Sequence, residues 1–458
     1  MLPLRQLRRL LPAFALATAI SNAHAQQRDR ASLPGAIDSV VQSFLKDGKA
    51  AGMSVAVVKG RDTITLKGYG MADLELDVPT PPRALYEIGS VTKQFTAAAI
   101  LMLQEDGKLS LDDVITKYLS EYPTQGHTIT LRRLLDHTSG IKGYTEMPVF
   151  GTMMSRHMSR DTLVKLFAAQ PFDFAPGELQ VYNNSAYFLL GLVIEKVSGL
   201  KYEEFIKQRV FAKAGMNDSQ YCSERTVMKR KMHGYEMGPT SLVLRAPIDH
   251  TWPYAAGSLC STVGDLVAWN RALHGGRVLS AASYQAMTTP GTLNDGTRLR
   301  YAMGLAIHTF NGHRTIEHGG GINGFLSESA YFPEQDAIIV VLINTAGPVA
   351  PTAVTEALAE LVFGPVTRTS RPAPANIAAL SGTYGGVGRG APMSVTVAAD
   401  SGRLTISLRG QKPAVPRYIG DDTWELGDTR FTFAKGAAGP PVLRVDASYG
   451  YSILARAK

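Results

Sequence analysis

The 458 residues are 45% hydrophobic and 19% charged, which is the balance of an ordinary globular chain and excludes a disordered or fibrous one. That length predicts two or three domains, with a core large enough to form without covalent staples. The formal charge of +8 is scattered, its densest run outside the N terminus is Lys229, Arg230 and Lys231, and no zinc knuckle, RNA-binding motif or basic stripe accompanies it, so nucleic acid is excluded as the expected partner.

The chain opens on Arg5, Arg8 and Arg9, a short apolar run from Leu10 to Ile20, and Ala23-His24-Ala25. A basic start, an apolar segment too short to span a bilayer and an A-x-A site read as a secretory signal peptide over residues 1–25. The mature chain is then expected to be secreted or periplasmic. No later stretch is long and apolar enough to predict a transmembrane helix. Loss of three arginines and no acid leaves +5, a mild attraction for anionic cell-envelope polymers. In that compartment Cys222 and Cys260 could pair or stay as two buried thiols; spacing alone leaves both open.

Residues 34–48 carry apolar positions at helical spacing and predict an amphipathic helix. MSVAVVKG and DTITLKGYG, joined by Gly60-Arg61, predict a β-hairpin. Val91 to Asp106 is a helical run with no proline and only good formers at its centre. From about 110 to 290 the sequence reads mostly as helices, with Gly199 and Gly275 placed to end two of them. Strand character returns between Tyr301 and Asn344, and TAVTEALAELVFG predicts a last helix. RTSRPAPAN is a proline-bearing linker, and beyond it six short alternating segments predict a small antiparallel β domain. The expected division is a signal peptide at 1–25, a main domain at 30–366, a linker at 367–376 and a β domain at 377–458. With strands at both ends of the main domain and helices between, the expectation is an α+β fold: an antiparallel sheet flanked by helices, with an all-helical insert.

The chemistry concentrates in three places. Ser90-Val91-Thr92-Lys93 is an S-x-x-K motif at the mouth of the long helix. Residues i and i+3 share a helix face, so a lysine held neutral there can take the serine proton. Alone, the motif also fits an N-cap serine followed by a solvated lysine. Three other matches, Ser43–Lys46, Ser139–Lys142 and Ser198–Lys201, lie inside a helix or across glycine turns. Tyr182-Asn183-Asn184 is the chain's Y-x-N: the phenol can shuttle a proton and the second amide can hold substrate or lysine. A half-buried tyrosine and a turn asparagine would read the same way. His318-Gly319-Gly320-Gly321 ends a strand, where glycines let a substrate backbone approach and free N–H groups can receive an oxyanion. A purely structural His318 fits the same letters. His274-Gly275-Gly276 closes a helix and reads as a cap. No metal site or cofactor motif is found.

With these motifs quoted, YEIGSVTKQFTAAAILMLQEDGKLSLDDVI, ITLRRLLDHTSGI, PGELQVYNNSAYFLLGLVIEKVSGLKYEEFI, AGSLCSTVGDLVAWNRALHGG and IEHGGGINGF resemble the successive signatures of the class C β-lactamase-related, penicillin-binding-protein-like serine hydrolases. The resemblance covers roughly residues 35–365 in consistent order. It implies the β-lactamase/transpeptidase-like fold with a small C-terminal β-barrel-like domain. It makes Ser90 the acylated nucleophile, Lys93 its base, Tyr182 the proton relay, and the Ser90 and Gly321 N–H groups the oxyanion hole. Asn184, His318, Gly319 and Gly320 would line the substrate. The implied substrates are a small D-residue peptide, an ester or a β-lactam-like molecule, with cell-wall fragments as a possible source. The family's penicillin-recognising members carry Lys-Thr/Ser-Gly where this chain has His318-Gly319-Gly320. That departure points away from a true β-lactamase and toward an amide or ester hydrolase. A catalytically silent binding protein of the same fold is the remaining alternative, and an α/β-hydrolase is disfavoured because G-x-S-x-G is missing.

Overall fold

The computed structural model describes residues 33–457, apart from 311, 367–370, 401–402, 409 and 437–438. The expected signal peptide and residues 367–370 of the expected linker lie outside the described residues. The opening helix occupies 33–45. The expected hairpin pairs Gly52–Lys59 with Asp62–Asp73. Both join Ala337–Ile343, Phe325–Phe332, His313–Ile322 and Ala306–Phe310 on one side, and Val78–Pro79 on the other, in a seven-stranded antiparallel sheet.

The central strands show why the sheet has helices on both faces. Every residue of Ala337–Ile343 is buried. Alternate side chains point to opposite faces, so Ile338, Val340 and Leu342 enter one apolar core while Ile339, Val341 and Ile343 enter another. The second core is closed by the opening helix through Ile37 and Val41 and by the last helix, Pro351–Phe363, through Val354 and Leu358. The larger core holds the helix Thr92–Glu105, whose residues 92 to 103 are all buried. A helix apolar on every side belongs in the interior, and around it pack Asn184–Ser198, Val263–His274 and the shorter helices between. The helix Asn184–Ser198 ends on Gly199 at φ 74°, as the sequence predicts, whereas Val263–His274 reaches its left-handed residue one position late, at Gly276.

The largely helical insert also contains strand pairs too short to show alternation. Tyr86–Glu87, Leu259–Ser261 and Gln220–Tyr221 form a three-stranded sheet. It brings Cys222 beside Cys260, and the two form a disulfide.

Beyond the main body, eight strands run in the order Arg403–Leu408, Met393–Asp400, Gly382–Gly386, Gly450–Arg456, Gly439–Ala447, Thr429–Gly436, Thr423–Leu426, Arg417–Gly420. They curl as a half-barrel around their own core of Tyr384, Trp424, Phe431, Leu443 and Leu454. Its ninth strand comes from far away in sequence: Gln180–Val181 pairs with Gly450 and Tyr451. The residues just before Tyr182 are thus part of the C-terminal sheet.

Candidate active site

Ser90 lies in a 3₁₀ turn, Gly89–Val91, that runs into the buried helix. Gly89 has φ +48°, and a Cβ there would come within 2.9 Å of Gly321 N and O. Only glycine tolerates both the conformation and the contact. Gly320 makes the second close approach: a Cβ would lie 2.2 Å from Ile88 O and 2.3 Å from Ser327 Oγ. The glycines therefore let the sheet strand lie directly against the serine turn. Ser327 Oγ donates to Ile88 O at 2.9 Å and ties the two together.

Lys93 is fully buried, so the reading of a capping serine with a solvated lysine does not survive. Its Nζ lies 3.1 Å from Ser90 Oγ and donates to Asn184 Oδ1 and to Ala256 O, each at 2.8 Å. Ala256 is held there because Thr96 Oγ1 donates to the neighbouring Ala255 O. Burial, and then the charge of Arg389, push the Lys93 ammonium well below its ordinary range, with Glu146 opposing weakly. A neutral amine has two N–H donors and one lone pair. In that form, donors placed on Asn184 and Ala256 would leave the lone pair for Ser90.

Tyr182 lies beside this pair, with Lys93 Nζ 4.7 Å from its ring centre. Its hydroxyl is buried without a hydrogen-bond partner of ordinary geometry among the described residues. Burial raises its pKa, and nearby Ser90 pulls it partly back. Asn183 caps the following helix, its Oδ1 accepting from Ala186 N at 3.0 Å. The turn role thus falls to Asn183, and Asn184 is free to hold Lys93 and, through Nδ2, Thr145 Oγ1 at 3.1 Å. His137, at φ +62°, accepts from Asn183 N, and its ring packs at a tilt with its centre 4.3 Å from that of Tyr182, which fixes the tyrosine from behind.

His318 is buried between Tyr301, whose hydroxyl is 2.9 Å from its Nε2, and its own chain, with Nδ1 2.5 Å from Gly319 O. Burial holds its pKa down at about 4, so the ring is neutral near pH 7. It cannot supply the cation that a lysine at this position would. Gly319 N donates to the hydroxyl of Tyr449 at 2.8 Å. The other S-x-x-K matches do not build a site. Ser43 Oγ donates to Val40 O, Lys142 pairs with Asp173, and Lys201 is exposed. His274 ends its helix and stacks on Tyr331.

Two cavities meet at Ser90, Asn184, Gly321 and Arg389. The larger, about 770 Å³, holds Tyr182, His318, Gly319 and Tyr449. The smaller, about 200 Å³, is walled by Tyr144, Phe150, Ile248, Pro253 and Ile322. Sequence reasoning missed Arg389 and Tyr449, both from turns of the C-terminal sheet. Arg389 lies 5.0 Å over the Tyr182 ring and its Nε donates to Glu146 Oε1 at 2.6 Å. Neither position carries a motif, and only a three-dimensional contact could have revealed them.

Residues 37–363 match the beta-lactamase family. The chain belongs to that family of serine hydrolases, and its relatives include penicillin-binding-protein-like members. It is 30% identical over 306 residues to the putative penicillin-binding protein PbpX of Bacillus subtilis, covering 66% of this chain and 73% of that one. Among solved structures it is similar to the octameric penicillin-binding protein homologue from Pyrococcus abyssi, at 25% identity and a TM-score of 0.64, over 92% of this chain and 99% of the other. It is also similar to a D-stereospecific amidohydrolase from a Streptomyces species, at 25% identity and a TM-score of 0.61, over 74% of this chain and 99% of the other. Among the described residues, no helix is long and apolar enough to cross a membrane.

Proposed function

We propose that this chain is an exported serine hydrolase that cleaves an amide or small ester through an acyl-enzyme on Ser90, with a D-residue on the acyl side. The observation that carries the reading is the placement of Lys93: fully buried, with Nζ against Asn184 Oδ1, Ala256 O and Ser90 Oγ. Lys93 takes the serine proton as Oγ attacks the carbonyl. The Ser90 and Gly321 N–H groups receive the oxyanion. Tyr182, buried with an uncommitted hydroxyl, passes the proton to the departing nitrogen or oxygen, and later draws one from the water that releases the acyl group. Asn184, His318, Gly319 and Gly320 line the path of the substrate. No metal or organic cofactor enters these steps.

The amide reading is favoured over a β-lactamase by the neutral, buried His318, which offers no cation to a β-lactam carboxylate. Similarity to the D-stereospecific amidohydrolase supports the choice of D-residue. We read residues 30–366 as the hydrolase domain, and 377–458 as an appended β domain that completes the cleft. The test is hydrolysis of D- and L-aminoacyl amides, short-chain esters and benzylpenicillin by the wild type and Ser90→Ala, with intact-mass detection of a Ser90 adduct. Turnover of a D-aminoacyl amide or short ester that vanishes in Ser90→Ala is the expected result. Turnover of penicillin alone would make it a β-lactamase, and no adduct or turnover with any substrate would leave the binding-protein reading.

A further inference from the structure

Strand pairing leaves the main sheet open beside the serine. Ala306–Phe310 covers the strand His313–Ile322 only from His313 to Glu317. From His318 onward that side of the strand has no neighbouring strand among the described residues. Gly319 N–H points to this open side, because it reaches Tyr449 there. N–H direction alternates along a strand, so Gly321 N–H points the same way. Gly321 faces the serine turn, and Gly319 is the next amide at which an extended substrate backbone could pair.

That amide is already taken. The Tyr449 hydroxyl accepts from Gly319 N and lies 2.9 and 3.1 Å from the two carboxylate oxygens of Glu317, to which it donates. Glu317 is itself buried and bonded to His308 Nε2 at 2.8 Å. Burial alone would raise its carboxyl, but His308 holds it down as an anionic acceptor. The tyrosine ring packs edgewise 5.1 Å from His318 and 5.7 Å from Tyr182. Tyr449 is placed by the turn between Gly439–Ala447 and Gly450–Arg456, and the latter strand is paired to Gln180–Val181 immediately before Tyr182. The plug and the proton relay are therefore fixed to each other.

The two cavities say which side is plugged. Tyr182 lines the larger cavity and not the smaller. The group that receives its proton departs into the larger one, where Tyr449 also stands. The acyl residue then occupies the smaller one. We infer that Tyr449 is a specificity-determining residue that closes the leaving-group side of the edge strand, so that the preferred leaving group is ammonia, a small amine or a short alcohol and not a peptide continuing along the sheet. This rests on the acyl-enzyme reading above and narrows its substrate class.

The test compares kcat/KM for a D-aminoacyl amide and for a tripeptide with the same D-residue at its N terminus, in D-alanine and D-phenylalanine series. The wild type should favour the amide. Tyr449→Ala should narrow the amide-to-tripeptide ratio by about tenfold or more, mainly through faster tripeptide cleavage, as expected when one backbone hydrogen bond and the space around it are restored to the substrate. Tyr449→Phe, which keeps the ring in place, should hold the wild-type ratio. Tyr449→Leu keeps an apolar side chain but falls short of Gly319, and reads the same outcome if the alanine variant does not fold. A wild type that cleaves the tripeptide as fast as the amide, or a ratio unmoved in folded, active Tyr449→Ala or Tyr449→Leu, overturns the inference alone. The absence of any Ser90-dependent hydrolysis overturns the acyl-enzyme reading and takes this inference with it.

Discussion

The floor and the roof of the cleft are built on different principles. The floor is Ser90, Lys93, Asn184 and Gly321, set on a buried helix, a helix start and a sheet strand whose backbones are locked in one large core. The roof is Arg389 and Tyr449, two side chains on turns of a half-barrel with a separate core. The floor positions reacting atoms by covalent spacing along a helix and by close backbone contact at Gly89 and Gly320. The roof reaches them across a gap with a few hydrogen bonds. Chemistry is thus expected to depend on the floor, and substrate range and pH response on the roof.

The largest effects should therefore fall on the floor. Ser90→Ala removes the attacking oxygen and should lower kcat/KM by about three orders of magnitude or more, with the melting temperature little changed, checked by steady-state kinetics beside calorimetry. Lys93→Met should do the same while filling the buried site with an apolar chain of similar length; residual activity above one per cent of wild type, roughly, would show that another base serves. Tyr182→Phe keeps the packing against His137 and removes only the hydroxyl. It should cost about two orders of magnitude in kcat, with the greater loss on amides, whose nitrogen must be protonated to leave.

The same contrast explains what could be read from the letters. The floor was legible because its geometry is local. Ser90 and Lys93 are one turn apart, Tyr182 and Asn184 flank a helix start, and the glycines after His318 announce a close approach. The central strands were legible because β-branched runs such as AIIVVLI have no other stable home than a covered sheet. Two strands of the half-barrel were missed for the opposite reason. GTYGG and RYIG are short, rich in glycine and lack clean alternation. The pairing of Gln180–Val181 with Gly450 and Tyr451 joins residues far apart in sequence, and no local pattern encodes it. The disulfide stayed open for the same reason, since Cys222 and Cys260 meet only through two-residue strand pairings.

A core substitution can separate floor from roof. Trp424 is buried in the half-barrel core against Phe433 and Tyr418. Trp424→Ala should destabilise that core by about 3–5 kcal/mol, visible as an earlier thermal transition. Below that transition Ser90 should still acylate. Above it the amide-to-tripeptide preference should fall before activity on the amide does. A single unchanged transition, or simultaneous loss of acylation and preference, would mean that the two regions fold and act as one.

The smallest expected effect is on the pH profile, and its sign follows from charge. Lys93 must be neutral to take the serine proton, so activity rises as pH climbs through its pKa. Burial holds that pKa down first, and the positive charge of Arg389 is the next cause, with Glu146 pulling the other way. Arg389→Gln removes the repulsion and takes from Glu146 its ion-pair partner. Both changes favour protonated Lys93. The acidic limb of kcat/KM should therefore move to higher pH, with the activity lost along that limb recovered at higher pH. Because Arg389 is partly exposed, added salt should screen its charge and move the wild-type limb in the same direction. Glu146→Gln should move the limb to lower pH, since it removes the charge that favours the ammonium. A limb that stays fixed in both variants would place the control of Lys93 entirely in its burial by the floor. The roof would then act on substrate shape alone.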